Sequence, residues 1–199
     1  MAEMTTMPPT PALSDLDLLR QTRAGMASAF AALYRRHQGP LYRFALLRCG
    51  SAATAADIVQ EVFMGLLAGR FAFDPLRGQL PHFLFGVARN LILRHEEARA
   101  RHVGLPEADD GDAEPELASE EAEPLARMLR HEAAEDVRRA LALLAPHYRD
   151  CVILYEMHEL SYLEIAHICA VDVGTVRSRL SRGRAALAKR LAAHRRTTA

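Results

Sequence analysis

A segment near the end of the chain combines cationic and hydroxyl side chains in a pattern suited to contact DNA. The run VGTVRSRLSRGR, residues 173–184, places such side chains on or beside one face of a predicted helix: Thr175, Arg177, Ser178, Arg179, Ser181 and Arg182. Arginine forks bond guanine edges or phosphates, and serine or threonine can contact either. A solvated, arginine-rich surface helix is the alternative, so the preceding residues decide the interpretation.

The residues before this segment predict a second, shorter helix joined to it by a tight turn. Ser161 and Glu164 have the spacing of a capping box, which marks a helix start. Asp172 is a good N-cap for the cationic helix. That helix carries an apolar stripe at spacings of three, four and seven: Val173, Val176, Leu180, Leu187 and Leu191. Two tightly joined helices, the second cationic, predict a DNA-binding helix-turn-helix.

Net charge is zero over the 199 residues, but it is unevenly distributed. Residues 1–100 carry +3, residues 101–135 carry −8 and residues 136–199 carry +5. The acidic stretch also contains three prolines between Gly104 and Pro124 and no aromatic residue, so it cannot bury enough apolar surface to fold alone. We therefore predict two basic modules joined by a flexible acidic linker.

Several classes of protein are disfavoured by the sequence. No apolar run is long enough to span a bilayer, and residues 1–11 lack the pattern of a signal peptide, so we expect a cytoplasmic protein without direct membrane insertion. Cys49, Cys151 and Cys169 are odd in number and widely spaced, which suits reduced thiols. A zinc or redox site near His147 and Cys151 is an alternative, but we expect no metal and no cofactor.

Helical periodicity dominates both modules, and strand signals are nearly absent. Predicted helices cover Leu16–Arg23, Met26–His37, Leu41–Cys49, Ala52–Ala68, His82–His102, Glu132–Leu144, His147–Met157, Tyr162–Cys169 and Val173–His194. The fold class is therefore all-α, with two small helical domains. We place an N-terminal tail at 1–13, the first domain at 14–102, the acidic linker at 103–131, the second domain at 132–194 and a tail at 195–199.

Three motifs in order make the chain resemble a bacterial RNA polymerase sigma factor of the extracytoplasmic-function (ECF) subfamily. The string DIVQEVF, residues 57–63, resembles the signature of sigma region 2. Arg77-Gly78 followed by VARN, residues 87–90, resembles the promoter-melting segment, and residues 160–187 resemble region 4. The resemblance covers nearly everything from Asp15 to Leu191 except the linker.

The resemblance implies roles for named residues. The face that binds the β′ clamp helices of the polymerase would consist of Asp57, Gln60, Glu61 and Met64. Recognition of the minus-10 element as single-stranded DNA would use Phe73, Arg77, Gln79, His82, Arg89, Asn90 and Arg94. The minus-35 element would be contacted by the residues of the helix-turn-helix given above. A turn position that is usually glycine holds Ala170.

We therefore expect a sigma factor that brings the polymerase core to promoters and helps to melt them. The partners implied are the polymerase core, through the β′ clamp helices and the β subunit, promoter DNA and an anti-sigma factor. No nucleophile with an adjacent base and no phosphate-binding glycine loop is evident, so we do not expect an enzyme. Two alternatives are a free-standing helix-turn-helix regulator and a polymerase-binding protein that does not contact promoters.

Overall fold

The chain folds into helices throughout the part that its structure, a computed structural model, describes: residues 13–102 and 124–197. The helices are α1 (Asp15–Arg23), α2 (Ala27–Cys49), α3 (Ala52–Leu67), α4 (Leu80–His102), α5 (Pro124–Ala142), α6 (Pro146–Glu156), α7 (Tyr162–Cys169) and α8 (Val173–Thr197), with a 3-10 turn at Pro75–Arg77. The all-α prediction is confirmed. The predicted tail, apart from Leu13, and the linker as far as residue 123 lie outside the described residues, as do residues 198–199.

Two differences from the predicted helices exceed three residues, and the other helix ends shift by three residues at most, including α8, which runs to Thr197 in the predicted tail. The helices expected at Met26–His37 and Leu41–Cys49 are one helix, α2, which continues through Pro40. Proline removes one backbone hydrogen bond, but the buried stripe of Leu33, Leu41 and Phe44 stays on one side of the continuous helix, and this burial outweighs the loss. In addition, α5 begins at Pro124, inside the predicted linker; proline is suited to the first turn of a helix.

The first folding unit, residues 13–102, is a bundle of α1 to α4 around an aromatic core. The rings of Tyr34 and Phe63 lie 4.7 Å apart between centroids, and Phe30 meets Phe63 edge-on at 6.2 Å. Gly65 on α3 allows the Phe71 ring to lie against its backbone, since an added Cβ would come within 2.0 Å of that ring. The close approach anchors the segment that leads to the 3-10 turn.

The second unit, residues 124–197, packs α5 to α8 around buried aliphatic side chains. Leu141, Ile153, Ile165, Val176 and Leu180 are each at most 1% exposed. Of the predicted α8 stripe, Val176 and Leu180 are buried, and the other members are half-buried. Over the described residues, no helix is long and apolar enough to cross a membrane.

The two units pack against each other, an arrangement that the sequence did not predict. Helix α2 of the first unit contacts α5 and α6 of the second, and α4 contacts α7. Buried apolar side chains from both units form one continuous cluster. The two predicted domains therefore share an interface.

At this interface lie four charged side chains, which we call the ion cluster: Arg48 on α2, Arg89 and Glu96 on α4, and Asp150 on α6. Arg48 Nε donates to Asp150 Oδ1 at 2.5 Å, and Arg89 Nε donates to Asp150 Oδ2 at 2.7 Å. Arg48 also forms a two-pronged ion pair with Glu96, with Nη2 to Oε2 at 2.9 Å. The side chains of Arg48 and Asp150 are fully buried. Each carboxylate oxygen of Asp150 thus accepts from a different arginine.

At the same interface, His158 of the second unit lies against two aromatic rings of the first. Its ring centroid is 4.9 Å from that of Phe85 and 6.3 Å from that of Phe44. Burial, aided by the charge of Arg43, lowers the pKa of His158 to about 4. His37, Arg43 and Glu159 line the same cavity. The packed arrangement therefore favours a neutral His158.

Acidification should weaken this interface through His158. Its pKa is about 4 when packed and about 6.5 when solvated, so its stabilising contribution is complete above pH 6.5 and is lost as the pH falls toward 4. Between pH 7 and pH 5 the loss is about 1–2 kcal/mol. We expect the fall in melting temperature over that interval to be about 4 °C smaller in His158→Leu than in the wild type. Equal falls in both proteins would contradict this assignment.

Candidate nucleic-acid interface

The helix-turn-helix is formed by α7 and α8, as predicted. Ser161 Oγ accepts from the Glu164 backbone N–H at 3.3 Å, and the Ser161 N–H donates to Glu164 Oε2 at 2.7 Å, which confirms the capping box. Hydrogen bonds from Ser161 hold the pKa of Glu164 below its usual range. The turn closes through Ala170, whose φ of 54° is left-handed. An alanine thus adopts a conformation that usually favours glycine.

The start of α8 is held by Asp172. Its Oδ1 accepts from the Thr175 N–H at 2.8 Å, and its Oδ2 accepts from the Thr175 hydroxyl at 2.7 Å. These hydrogen bonds lower the pKa of Asp172, so the carboxylate remains charged at neutral pH. Ser178 Oγ donates to the Thr175 carbonyl at 2.9 Å. Thr175 is therefore the hydrogen-bond partner of the N-cap Asp172. For its hydroxyl to contact DNA, the hydrogen bond from the hydroxyl to Asp172 Oδ2 would have to break.

The outward face of α8 presents the predicted cationic and hydroxyl groups to solvent. Arg177, Ser178, Ser181 and Arg182 are exposed, whereas Arg179 is half-buried. The Arg179 guanidinium lies near the buried Cys151. A hydrogen bond with Cys169 lowers the pKa of the Cys151 thiol, and the charge of Arg179 lowers it further. Contact with base edges requires an exposed side chain, whereas Arg179 is partly occupied by its buried surroundings. Arg177 and Arg182 are thus better placed than Arg179 to enter a major groove.

The predicted minus-10 residues occupy the 3-10 turn and the first half of α4. Arg77, Gln79, Asn90 and Arg94 are exposed. Phe73 differs: its ring is 8% exposed and packs 5.3 Å from that of Phe83. This packing does not support the expectation that Phe73 stacks on a DNA base. Burial of the ring in the core lowers the free energy of the folded chain more than its exposure would.

Two further minus-10 candidates face the second unit. Arg89 donates to Asp150, and His82 Nε2 lies 3.2 Å from Glu164 Oε1. Burial lowers the pKa of His82, although Glu164 opposes that effect. A cleft of about 340 Å³ separates this surface from the end of α7, with Gln79, Asn90 and Arg77 on one wall and His167 on the other. The structure thus gathers these candidates at one surface and turns much of that surface toward the helix-turn-helix.

The predicted polymerase-binding residues lie on the outer face of α3. Asp57, Gln60, Glu61 and Met64 are all exposed, and Met64 is 52% exposed despite being apolar. The opposite face of α3 carries the buried residues Ile58, Val62 and Leu66. An exposed strip that combines carboxylates, an amide and a thioether suits docking on a basic partner helix.

The interface residues were not predicted from the sequence: Arg48, Asp150, Glu96 and His158. One signal was available: Arg48 lies four residues after Phe44 and seven after Leu41, so it shares their buried stripe. A charge on an apolar stripe requires a buried partner. The partner could not be found from sequence, because Asp150 is 102 residues further along the chain.

The described residues include Cys49, Cys151, Cys169 and His147, the residues considered for a metal or redox site. No group of three or more histidine, cysteine or acidic side chains there is placed to hold a metal ion. Cys49, Cys151 and Cys169 are free thiols. Burial raises the pKa of Cys49 to about 11, so this thiol is protonated and weakly nucleophilic at neutral pH.

Comparison with known proteins agrees with this geometry. The family description "Sigma-70 region 2" matches residues 33–102, and "Sigma-70, region 4" matches residues 134–187. The chain is 34% identical over 171 residues to the ECF RNA polymerase sigma factor SigE of Mycolicibacterium smegmatis, covering 84% of this chain and 63% of SigE. It is 35% identical over 147 residues to EcfG of Rhodopseudomonas palustris, covering 74% of this chain and 76% of EcfG.

A solved structure shows the same fold. The sigma factor RpoE of Bartonella quintana, crystallised with the anti-sigma factor NepR, matches 81% of this chain and 96% of its own, with a TM-score of 0.64 and 25% identity. A chain that combines regions 2 and 4 with these relatives belongs to the ECF subfamily of RNA polymerase sigma factors. It spans just under two thirds of the length of SigE.

Proposed function

We propose that this chain recruits the RNA polymerase core to a restricted set of promoters and helps to open them. The observation that carries the proposal is a helix-turn-helix with Arg177 and Arg182 exposed on its second helix, in a chain whose two matched regions are those of sigma factors. In this role, α8 binds the minus-35 element as duplex DNA. The 3-10 turn and α4 hold the minus-10 element as unpaired bases.

The role calls for binding groups rather than catalytic ones. Arginines bind phosphates and base edges, exposed amides such as Gln79 and Asn90 can hydrogen-bond flipped bases, and the polymerase supplies the chemistry of RNA synthesis. We propose that the protein is not itself an enzyme and that it acts in the cytoplasm, where polymerase and promoter DNA are found. The match to RpoE bound to NepR favours an anti-sigma factor as a further partner.

The decisive test is transcription with purified components. Core polymerase with and without the chain would transcribe genomic DNA, and the transcript starts would be sequenced. We expect new starts that share one upstream and one downstream element. A free-standing regulator would instead bind duplex operators tightly without polymerase and create no new starts with the core alone. A polymerase-binding protein that ignores promoters would be unaffected by changes at Arg177 and Arg182.

The polymerase contact can be tested on α3. The double variant Gln60→Ala, Glu61→Lys should weaken binding to the core by about tenfold or more, since a charge reversal juxtaposes like charges at a basic partner surface. Both side chains are exposed, so the helical content should not change. Binding is measured by the fluorescence anisotropy of labelled protein titrated with core polymerase.

A matched control uses the same charge reversal away from this face. Glu97 is exposed on α4, and Glu97→Lys should leave core affinity near that of the wild type. Undiminished affinity in the double variant, or an equal loss in the control, would remove the outer face of α3 from the proposed contact.

A further inference from the structure

Two buried thiols lie side by side in the second unit, where α6 packs on α7. Cys151 on α6 is fully buried, and Cys169, the last residue of α7, is 4% exposed. The two thiols are hydrogen-bonded to each other. Neither belongs to the proposed DNA-binding or polymerase-binding surfaces, so the pair is a feature that the proposed function does not use.

The two thiols have unlike surroundings. The hydrogen bond with Cys169 holds the pKa of Cys151 below its usual range against the effect of burial, and the charge of Arg179 on α8 acts in the same direction. The same hydrogen bond, together with burial, raises the pKa of Cys169. Asp150 opposes the ionisation of Cys151, but its carboxylate is already paired with two arginines. The thiolate, which is the reactive form of cysteine, is therefore favoured at Cys151 over Cys169.

Access to the pair is through the end of α7. Cys169 is the last residue of that helix and lies next to the turn that leads to α8. Helix ends open by local fluctuation at a lower free energy than the centres of packed helices. We therefore expect a molecule as small as hydrogen peroxide to reach both sulfur atoms without unfolding of the second unit.

We propose that Cys151 and Cys169 form a peroxide-sensitive dithiol, whose closure to a disulfide weakens binding of the upstream promoter element by the helix-turn-helix. The reaction at the thiols is inferred from the structure of the second unit alone, whereas the effect on DNA rests on the proposed function. The oxidant is a peroxide, and the product is an intramolecular disulfide between α6 and the end of α7.

The reaction balances with hydrogen peroxide as the oxidant. The Cys151 thiolate attacks one peroxide oxygen and the O–O bond breaks. The sulfur becomes a sulfenic acid, and the other oxygen takes up a proton and leaves as water. The Cys169 sulfur then attacks the Cys151 sulfur, the S–O bond breaks, and the S–S bond forms with release of a second water. The two thiol protons end in the two waters, and the two sulfur atoms lose the two electrons that the peroxide gains.

Closure of the disulfide acts on the DNA-binding helix through the helices that support it. The two sulfur atoms must come closer together than they lie in a hydrogen bond, so the end of α7 is drawn toward α6. Because α8 packs on both of these helices, a shift of one against the other changes the angle at which α8 presents Arg177 and Arg182. Loss of one bidentate arginine contact lowers the affinity for DNA by about tenfold.

Peptide mapping of the full chain after brief exposure to hydrogen peroxide tests the site. No lysine or arginine lies between Cys151 and Cys169, so trypsin leaves both in one peptide, residues 150–177, and puts Cys49 in another, residues 49–70. After alkylation of the remaining thiols, we expect the first peptide to be unalkylated and lighter by two hydrogen atoms, while Cys49 is alkylated. Cleavage after the glutamates between the two cysteines should give fragments joined by the disulfide. The disulfide should form at least about tenfold faster than Cys49 reacts.

The effect on DNA is measured with holoenzyme assembled after the oxidation. The chain is oxidised and freed of peroxide before core polymerase is added, so that the polymerase itself is never oxidised. We expect fluorescence anisotropy to show about tenfold weaker binding to a labelled duplex that carries the upstream element mapped by transcript sequencing. Dithiothreitol should restore the affinity of the reduced chain.

Cys151→Ala removes the site, and Cys49→Ala is the matched control. Cys151→Ala should form no intramolecular disulfide and should bind the upstream element equally well before and after oxidation. Cys49→Ala makes the same change at the third thiol and should keep both the disulfide and the loss of affinity. If circular dichroism shows that Cys151→Ala fails to fold, Cys169→Ala replaces it with the same expected result, and the peptide mapping of the wild type needs neither variant.

The outcomes separate this inference from the proposed function. If Cys151 and Cys169 both stay open to alkylation under conditions that oxidise Cys49, or if the disulfide joins two chains, the proposal is overturned. A disulfide that forms within the chain and leaves the affinity for the upstream element unchanged also overturns it. Failure to find any new transcript start would overturn the proposed function instead, while the peptide mapping, which requires no DNA, would stand.

Discussion

Replacing Arg182 with alanine is expected to lower the affinity of the holoenzyme for its upstream promoter element by about 5- to 150-fold. Arg182 is exposed on the outer face of α8, where a guanidinium can bond a guanine or a phosphate. Loss of one bidentate contact costs about 1–3 kcal/mol. The preference for one base over the others should weaken only at the position that Arg182 contacts. Footprinting on promoters mutated one position at a time measures both effects.

Arg23→Ala controls for a general loss of positive charge, because Arg23 is also exposed but lies on α1. It should leave upstream protection unchanged. Asn90→Ala provides the contrast: we expect it to reduce the permanganate reactivity of unpaired thymines while footprints of the closed complex persist. If Arg182→Ala abolished opening at full promoter occupancy, the assignment of duplex binding and melting to separate units would be wrong.

Truncating Leu180 to alanine is expected to lower the free energy of unfolding of the second unit by about 2–5 kcal/mol. Leu180 is 1% exposed and lies on the inner stripe of α8, opposite the proposed DNA face. The variant removes buried methyl groups and leaves a cavity beneath the helix that carries Arg177 and Arg182. Urea unfolding followed by circular dichroism should show the loss as an earlier transition.

Leu143→Ala is the control for this truncation. Leu143 is 63% exposed in the turn that follows α5, so truncating it should change the free energy of unfolding by less than about 0.5 kcal/mol. Comparable losses in the two variants would mean that α8 is not held by its apolar stripe. In that case the exposure of the cationic face could not be attributed to packing of the opposite face.

Local signals account for what was predicted correctly. The helix-turn-helix follows from the capping box at Ser161 and Glu164, the N-cap at Asp172 and the spacing of Val176 and Leu180, all of which act within one or two helical turns. Such signals are strong because each fixes backbone geometry directly. The same holds for α3, whose buried and exposed faces both follow from its periodicity.

Long-range contacts account for what the sequence could not show. The pairing of Arg48 with Asp150 depends on two segments more than a hundred residues apart, and a charged residue is ordinarily assigned to the surface. Packing within the first unit explains Phe73, whose type suits base stacking but whose ring packs against that of Phe83. It also explains α2, where burial on both sides of Pro40 overrides a local signal for a break. Tertiary packing decided each of these cases.

The left-handed alanine at the turn has a consequence for local opening of the molecule. Ala170 adopts this conformation at a cost of about 1 kcal/mol relative to glycine. It ends a helix of only eight residues, so the last amides of α7 rest on few hydrogen bonds. Their exchange with deuterated solvent should therefore be faster than that of the amides at the centre of α6, and Ala170→Gly should slow it. The turn that sets the angle between the two DNA-binding helices is thus also a site from which the second unit can begin to unravel.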